Sequence, residues 1–328
     1  MPYFAFWKGA EISSNRVIEI ASGSVEAIVS LIPKAIEVYK LFPQKMTPFE
    51  NDQERIPIPQ KTVLGFTPKD GQHRGEFVTI FGGKFHYEVE HKKRESGCYP
   101  FGGNRYFSWG QNFEDLIKHI FEIEIGNFQV KKTAVTNQEF LSFVIESHYL
   151  PENSDKFLAH IKRNNLGELP KSLDNDQAAL PVTFVSLEDA QAYADWRGER
   201  LLSEEEWQYV ASGAGANNLY PFGNDIRRIN DPQSVNLTGK IIRADALIKG
   251  ATPQGVLGLC GNTWELTNAT YSDGHNKFVI LRGGSYLPVH QSTWIIPRGP
   301  RANNFHAKYL LSGGGLDRSE AISFRTAY

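Results

Sequence analysis

The chain has 328 residues, of which 41% are hydrophobic, 12% are aromatic and 22% are charged, and its formal net charge is −2. This composition is typical of a globular protein that can bury a sizeable core. A nearly neutral chain gives no electrostatic basis for binding nucleic acid or an anionic membrane, so neither partner is expected.

The sequence contains no strong targeting signal. No stretch approaches the roughly 18 uncharged apolar residues of a membrane span. The N-terminus lacks a basic region followed by an apolar run, so we expect no signal peptide and a cytoplasmic location. Two cysteines, Cys98 and Cys260, could form one bridge or remain free, and reduced thiols are the simpler interpretation.

Residues 1–75 differ in character from the rest of the chain. Apolar residues recur with helical spacing over 24–42, which predicts an amphipathic helix, and Pro33 predicts a kink in it. This helix could pack on the main domain, or it could attach a partner or a second copy. Residues 43–75 contain five prolines among charges and are predicted to form an extended connector to a main domain over 76–328.

The first half of the main domain is predicted to begin with short strands. Phe77–Ile80 and Lys84–Val89 flank a Gly-Gly pair, which predicts a β-hairpin. Phe121–Ile125 alternates between apolar and polar residues, as a strand does. Thr136 then caps a helix with a phenylalanine-rich apolar face.

The second half is predicted to combine two capped helices with long loops. Pro181–Val185 is predicted as a short strand, and Ser186 caps a helix over Leu187–Trp196 that Gly198 ends. Ser203 and Glu206 form a capping box for the next helix. A loop over 212–257 follows, and loops of that length are usually functional or ordered by metal. Two further strands are predicted, over 278–281 and 321–324.

The run Gly258–Leu266 combines small residues with Trp264 and places Asn262 and Glu265 three residues apart. Small residues allow close backbone approach, and amide and carboxylate oxygens are ligands for hard cations. This run is therefore either a tightly packed core loop or a cation site. A second glycine-containing run, Val279–Tyr286, follows it.

Seven short motifs occur in one order along the main domain. They are Ala134-Val135-Thr136-Asn137, Pro181-Val182-x-Phe184-Val185-Ser186, Arg200-Leu201-Leu202-Ser203-Glu204-x-Glu206-Trp207, Tyr220-Pro221-Phe222-Gly223, Gly261-Asn262-x-Trp264-Glu265, Arg282-Gly283-Gly284-Ser285-Tyr286 and Phe324-Arg325. Together they resemble the formylglycine-generating-enzyme (sulfatase-modifying factor) domain family over residues 77–328. The resemblance implies an α+β, C-type-lectin-like, loop-rich domain, here with an N-terminal helical extension. It also implies that Trp196, Trp207 and Trp264 are core anchors.

The chemistry that this family performs requires residues that the chain lacks. Family members place two cysteines five residues apart, just after the Arg-Gly-Gly-Ser-Tyr strand, and bind copper as thiolates. The matching positions here are Pro288 and Thr293, and Cys260 is predicted to be a buried apolar residue. We therefore expect no bound copper and no formylglycine-generating activity. The His-x-x-x-His-x-Glu pattern of the family's iron-dependent, sulfoxide-forming branch is not found in the sequence either.

The lectin-like fold implies a binding surface in the final strand-loop region. Aromatic residues mixed with Arg, Asn and His are the residue types that form recognition surfaces. The candidate ligand-binding residues are Trp294, Arg298, Arg301, Asn303, Asn304, Phe305, His306 and Tyr309. The alternative is a structural loop that packs over the position of the missing active site.

The resemblance further implies structural calcium, which oxygen ligands hold. Asn236, the carbonyl of Leu237 and Asp245 match one site, and Asn262 with Glu265 matches the other. The alternative is that Asn262 and Glu265 only form hydrogen bonds within the protein.

Two hypotheses follow. The leading one is a non-catalytic recognition or scaffold module that binds a protein or glycan through residues 286–311 and attaches through its N-terminal helix. The alternative is a metal-dependent oxidoreductase of the same superfamily with a relocated, non-thiolate metal site.

Overall fold

The structure is a computed structural model that describes residues 76–92, 116–272, 277–287, 299–312 and 317–328. These residues all fall within one compact unit, Asn51–Tyr328. The predicted helix over 24–42 and the predicted connector lie outside the described residues. Within the described ranges, none of the helices combines the length and apolarity that a membrane crossing requires.

The described part of the chain mixes short strands, short helices and long irregular segments. The strands are β1 Phe77–Ile80, β2 Gly83–Lys92, β3 Leu116–Ile125, β4 Phe128–Lys131, β5 Arg200–Leu201, β6 Trp264–Ser272, β7 Lys277–Arg282, β8 His306–Leu310, β9 Ile322–Phe324 and β10 Thr326–Ala327. The helices are α1 Asn137–Ser147, α2 Asn175–Ala178, α3 Leu187–Arg197 and α4 Glu204–Ala211, with 3₁₀ turns at Ile226–Asn230 and Ile248–Gly250. The α+β, loop-rich prediction is confirmed.

The strands form three sheets. One is antiparallel, with the order β1-β4-β10-β5. A second has the order β8-β7-β6-β9, in which β6 and β9 run parallel. The third is a ribbon in which β2 and β3 pair without a register shift from Gly83 to Lys92. Because β9 and β10 follow each other in the chain, the C-terminus joins the two larger sheets.

Three helices begin where the sequence predicts. Thr136, Ser186 and Ser203 each accept a hydrogen bond from the backbone of the third helical residue, whose carboxylate in turn accepts one from the cap's own N–H. Such reciprocal bonds satisfy two N-terminal amides that have no partner within the helix. Gly198 ends α3 with φ +66°, in the left-handed region that glycine tolerates.

Two apolar clusters hold these elements together. In the first, α1 and α3 pack on β6, β7 and β9, and the rings of Phe140, Tyr193 and Phe324 lie 5.5–6.1 Å apart. In the second, α4 packs on the inner face of the β2–β3 ribbon, where Phe85 meets Tyr209 edge to face at 5.2 Å. Trp196, Trp207 and Trp264 are all buried, so their prediction as core anchors is confirmed.

The predicted hairpin between the first two strands is wrong in its pairing. β1 pairs with β4, and β2 pairs with β3. A side chain at Gly82 would lie 2.1 Å from the carbonyl oxygen of Ile125, so the chain turns there at a close backbone contact. The Gly-Gly pair therefore carries the chain from one sheet to another and does not close a hairpin.

The predicted strand over Pro181–Val185 is also wrong. Only Pro181 forms a bridge, to Thr136, and Phe184 has φ +54°. A bulky residue in the left-handed region interrupts an extended backbone. The local apolar pattern could not reveal this, because it reports burial and not the backbone angle of one residue.

Candidate functional site

The Gly258–Leu266 run is the junction of several segments. Gly261 has φ +83°, and a side chain there would lie 2.8 Å from Val235 Cγ1 and 2.9 Å from Pro300 Cβ. Its N–H donates to the carbonyl of Gly283. The small residues thus allow the two glycine-containing runs to meet, and strand β6 begins directly afterwards, at Trp264.

Glu265 lies on β6 and is 1% exposed. Its Oε1 accepts from Arg325 Nη2 at 2.6 Å, and its Oε2 accepts from Arg325 Nε and Trp207 Nε1, both at 2.7 Å. A bidentate guanidinium–carboxylate pair is a strong, directional contact. Both carboxylate oxygens are therefore engaged within the protein.

Asn236 and Asn262 lie side by side, and both are buried. Asn236 Nδ2 donates to Asn262 Oδ1 at 2.9 Å, and Asn236 Oδ1 accepts from the backbone and hydroxyl of Thr238. Asn262 also exchanges hydrogen bonds with the backbone of Ile242, donating to its carbonyl and accepting from its N–H. The two amides thereby fix the loop over 236–242.

The predicted calcium ligands do not form a fitting set of donors. Asp245 pairs with Arg243 at the surface, with oxygen–nitrogen distances of 2.9 and 3.0 Å. Glu265 is held by Arg325. Among the described residues there is no group of three or more His, Cys, Asp or Glu that could hold a metal. Calcium binding stays a prediction, and the side-chain oxygens proposed for it are already engaged by protein donors.

A second buried charge cluster joins β2, α4, β7 and β8. Arg282 Nη2 donates to Glu204 Oε1 at 2.8 Å and to Tyr87 Oη at 3.0 Å, and His306 Nδ1 contacts the same carboxylate oxygen. Burial alone raises the pKa of Glu204, but His306 and Arg282 outweigh it and hold this pKa well below its usual range. The cluster therefore contains an ionised carboxylate in the core.

Four of the predicted ligand-binding residues lie in the interior. Asn303, Phe305, His306 and Tyr309 are all buried. Asn303 donates to two backbone carbonyls, and Phe305 packs near Trp264. Their burial does not fit an exposed contact surface, so we assign them to the core. The sequence pattern missed this because part of the segment is strand β8, in which His306, Ala307 and Tyr309 are all buried.

Two other predicted ligand-binding residues are half-buried. The guanidinium of Arg301 lies 4.8 Å from the ring centre of Phe305. The amide of Asn304 donates to Glu88 at 2.6 Å. Trp294 and Arg298 lie outside the described residues, as do Pro288 and Thr293.

Cys260 is a free and buried cysteine, as predicted. Burial raises the pKa of its thiol to about 12, and the Sγ–H donates to the carbonyl of Arg301 at 3.4 Å. The thiolate is the form that binds soft metals and attacks electrophiles. Cys260 is therefore held as a neutral thiol near physiological pH. Cys98 lies outside the described residues.

Sequence reasoning missed the arginines that neutralise the buried carboxylates. Arg282 and Arg325 are each at most 1% exposed, and Arg318 pairs with Asp189 in a third buried contact at 2.8 Å. The available signal was position, since Arg282 is the last residue of β7 and Arg325 directly follows β9. A charged residue that follows three or four buried positions on a strand is a candidate for an internal ion pair.

Comparison with known proteins gives one family. The model of the "sulfatase-modifying factor enzyme 1-like domain" matches residues 65–310. A Mus musculus protein named inactive C-alpha-formylglycine-generating enzyme 2 is 31% identical over 206 residues, which cover 51% of this chain and 66% of that protein. A formylglycine-generating enzyme of Streptomyces coelicolor is 34% identical over 221 residues, covering 51% of this chain and 70% of the enzyme.

Among solved structures, the crystal structure of CarF aligns with this chain at a TM-score of 0.47 and 16% identity, and the alignment covers 77% of this chain and 98% of the CarF chain.

Proposed function

Because the chain belongs to the sulfatase-modifying factor enzyme 1-like domain family, we propose that it is a non-catalytic member which keeps the domain as a recognition or scaffold module. One observation carries this proposal. The two positions that match the family's copper-binding cysteines are Pro288 and Thr293, and neither side chain can form a thiolate. A relative that is itself named inactive supports the same interpretation.

The remaining described cysteine does not replace the missing pair. Cys260 is 2% exposed, and its thiol stays protonated because burial disfavours the thiolate. A reactive cysteine usually has a lowered pKa and partial exposure. The chemistry of Cys260 is that of a small apolar core residue.

We also propose that the domain has the C-type-lectin-like fold. Two helices of similar length, α1 and α3, pack on a small mixed sheet, and long irregular segments cover the rest. Such a base holds loops in fixed positions, and binding residues are often found on loops positioned in this way.

The proposed binding surface is formed by residues 286–311, with a protein or a glycan as ligand. Buried hydrogen bonds from Arg282 and Asn303 hold the described residues around Asn303 in place. Arg301 and Asn304 are half-buried members of the segment and carry a guanidinium and an amide. These groups suit carboxylate, carbonyl and hydroxyl partners.

We expect that Trp294→Ala and Arg301→Ala each weaken ligand binding by at least about tenfold, or ~1.4 kcal/mol. The probes are a printed glycan array and a displayed peptide library, and the Kd of each retained ligand is then measured for both variants. Arg243→Ala is the matched control, since Arg243 is exposed and pairs with Asp245 in another loop. Unchanged affinity in both surface variants, for every ligand found, would remove this surface from the proposal.

A further inference from the structure

Arg325 lies in a cage of five oxygen atoms. Its guanidinium nitrogens donate to the backbone carbonyls of Lys131 at 3.1 Å, Lys132 at 3.3 Å and Leu257 at 2.8 Å. They also donate to both carboxylate oxygens of Glu265, at 2.6 and 2.7 Å. A guanidinium has five N–H donors, and this cage offers five hydrogen bonds to them.

The cage draws together parts of the chain that are distant in sequence. Its oxygens come from the end of β4, from the segment before the Gly258–Leu266 run, and from β6. Arg325 itself lies between β9 and β10, and Trp207 of α4 donates to the same carboxylate. One cation therefore ties both larger sheets to α4.

This oxygen set resembles what a calcium ion collects. Calcium sites in proteins combine carboxylate and backbone carbonyl oxygens, often with one bidentate carboxylate. Here a guanidinium of charge +1 faces a carboxylate of charge −1, and both groups are almost fully buried. A divalent ion added at Glu265 would lie beside the guanidinium without an anion to balance it, at a high desolvation cost.

We propose that Arg325 is the built-in cation of this cage and that the domain is stable without calcium. The predicted ligands of the other calcium site are consistent with this, because Asn236 and Asn262 bond to each other and to the 236–242 loop. Hydrogen bonds of these two amides order the loop, which is the role that a bound metal would otherwise have. This inference is independent of the proposed function, since it concerns stability and not ligand recognition.

The test is the melting temperature of the full chain after extensive chelation, compared with the same sample in excess CaCl₂. A ligand that binds only the folded state stabilises it by RT ln(1 + [L]/Kd), so the melting temperature rises with the free ligand concentration. We expect the two values to agree within about 1 °C. A melting temperature that rises with calcium concentration, and that Glu265→Gln no longer lets rise, would overturn the proposal, as would about one retained calcium per chelated chain.

Substitution of Arg325 distinguishes an essential cation from an incidental contact. Arg325→Met keeps much of the side-chain length but removes the charge, and we expect it to lower the melting temperature by roughly 10 °C or to prevent folding. Arg325→Lys keeps the charge but lacks the planar guanidinium, so its melting temperature should lie between those of the wild type and Arg325→Met. Arg243→Met is the control, because it removes an exposed pair. Equal melting temperatures for Arg325→Met and Arg243→Met would contradict the role of Arg325.

Discussion

Replacing Arg282 by methionine is expected to destabilise the domain by about 3–5 kcal/mol. Arg282 is fully buried, and its guanidinium donates to Glu204, to Tyr87 and to the backbone carbonyls of Asn303 and Phe305. Methionine fills a similar volume but carries no charge, so the Glu204 carboxylate loses one of its positively charged partners. The backbone carbonyls of Asn303 and Phe305 lose the guanidinium as a hydrogen-bond donor. Each buried polar group that loses its partner adds a desolvation cost.

Urea unfolding followed by circular dichroism measures this loss. The matched control is Arg200→Met, because Arg200 forms a bidentate pair with Glu206 but is 40% exposed. An exposed pair contributes about 1 kcal/mol or less, so the control should remain close to the wild type. If the two variants lost the same stability, the buried cluster would not be a structural centre of the domain.

The second large effect is expected from Gly284→Ala, which should cost more than about 3 kcal/mol. Gly284 has φ +82°, and an added Cβ would lie 2.3 Å from the carbonyl oxygen of Gly299 and 2.8 Å from the amide nitrogen of Arg301. Ser285 and Arg301 also form backbone bonds here, with Gly299 and Gly283. The substitution would push residues 299–301, which belong to the proposed binding surface, away from Gly284.

Gly223→Ala isolates the backbone part of that effect. Gly223 has φ +107°, but an added Cβ would meet no atom within 4 Å. Gly223→Ala should lower the free energy of unfolding by about 1–2 kcal/mol, which is the cost of a left-handed conformation alone. Thermal or urea unfolding of both variants gives the difference. A Gly284→Ala variant no less stable than Gly223→Ala would mean that residues 299–301 can move away freely.

The features that the sequence predicted well are local ones. The predicted helix caps at Thr136, Ser186 and Ser203 depend on contacts three residues apart, and all three are present. The left-handed end of α3 at Gly198 depends on a single residue type. Such signals need no knowledge of distant parts of the chain.

The pairing of strands could not be predicted in the same way. β1 pairs with β4 because Gly82 brings the backbone against Ile125, which lies 43 residues further along the chain. Likewise, β8 was predicted as a binding segment because its aromatic and polar residues resemble a surface. Their burial depends on pairing with β7, in which Arg282 lies opposite His306, 24 residues further along the chain.

The buried arginines explain why the residues around Glu265 differ from the predicted calcium site. Asn262 and Glu265 have the chemistry of calcium ligands. Nothing near them in the sequence shows that Arg325, 60 residues further along the chain, contacts Glu265. A guanidinium and a metal ion compete for the same oxygens. Which of them is present depends on tertiary contacts that composition and spacing do not report.

The most direct test of the central claim is turnover of a cysteine-containing peptide by the full chain, supplied with Cu(I) and oxygen. Mass spectrometry detects the aldehyde product, and the Streptomyces coelicolor formylglycine-generating enzyme serves as the active control. We predict that the control forms aldehyde and that this chain forms none, because Pro288 and Thr293 provide no thiolate. Aldehyde that accumulates in proportion to the concentration of this chain would contradict the account.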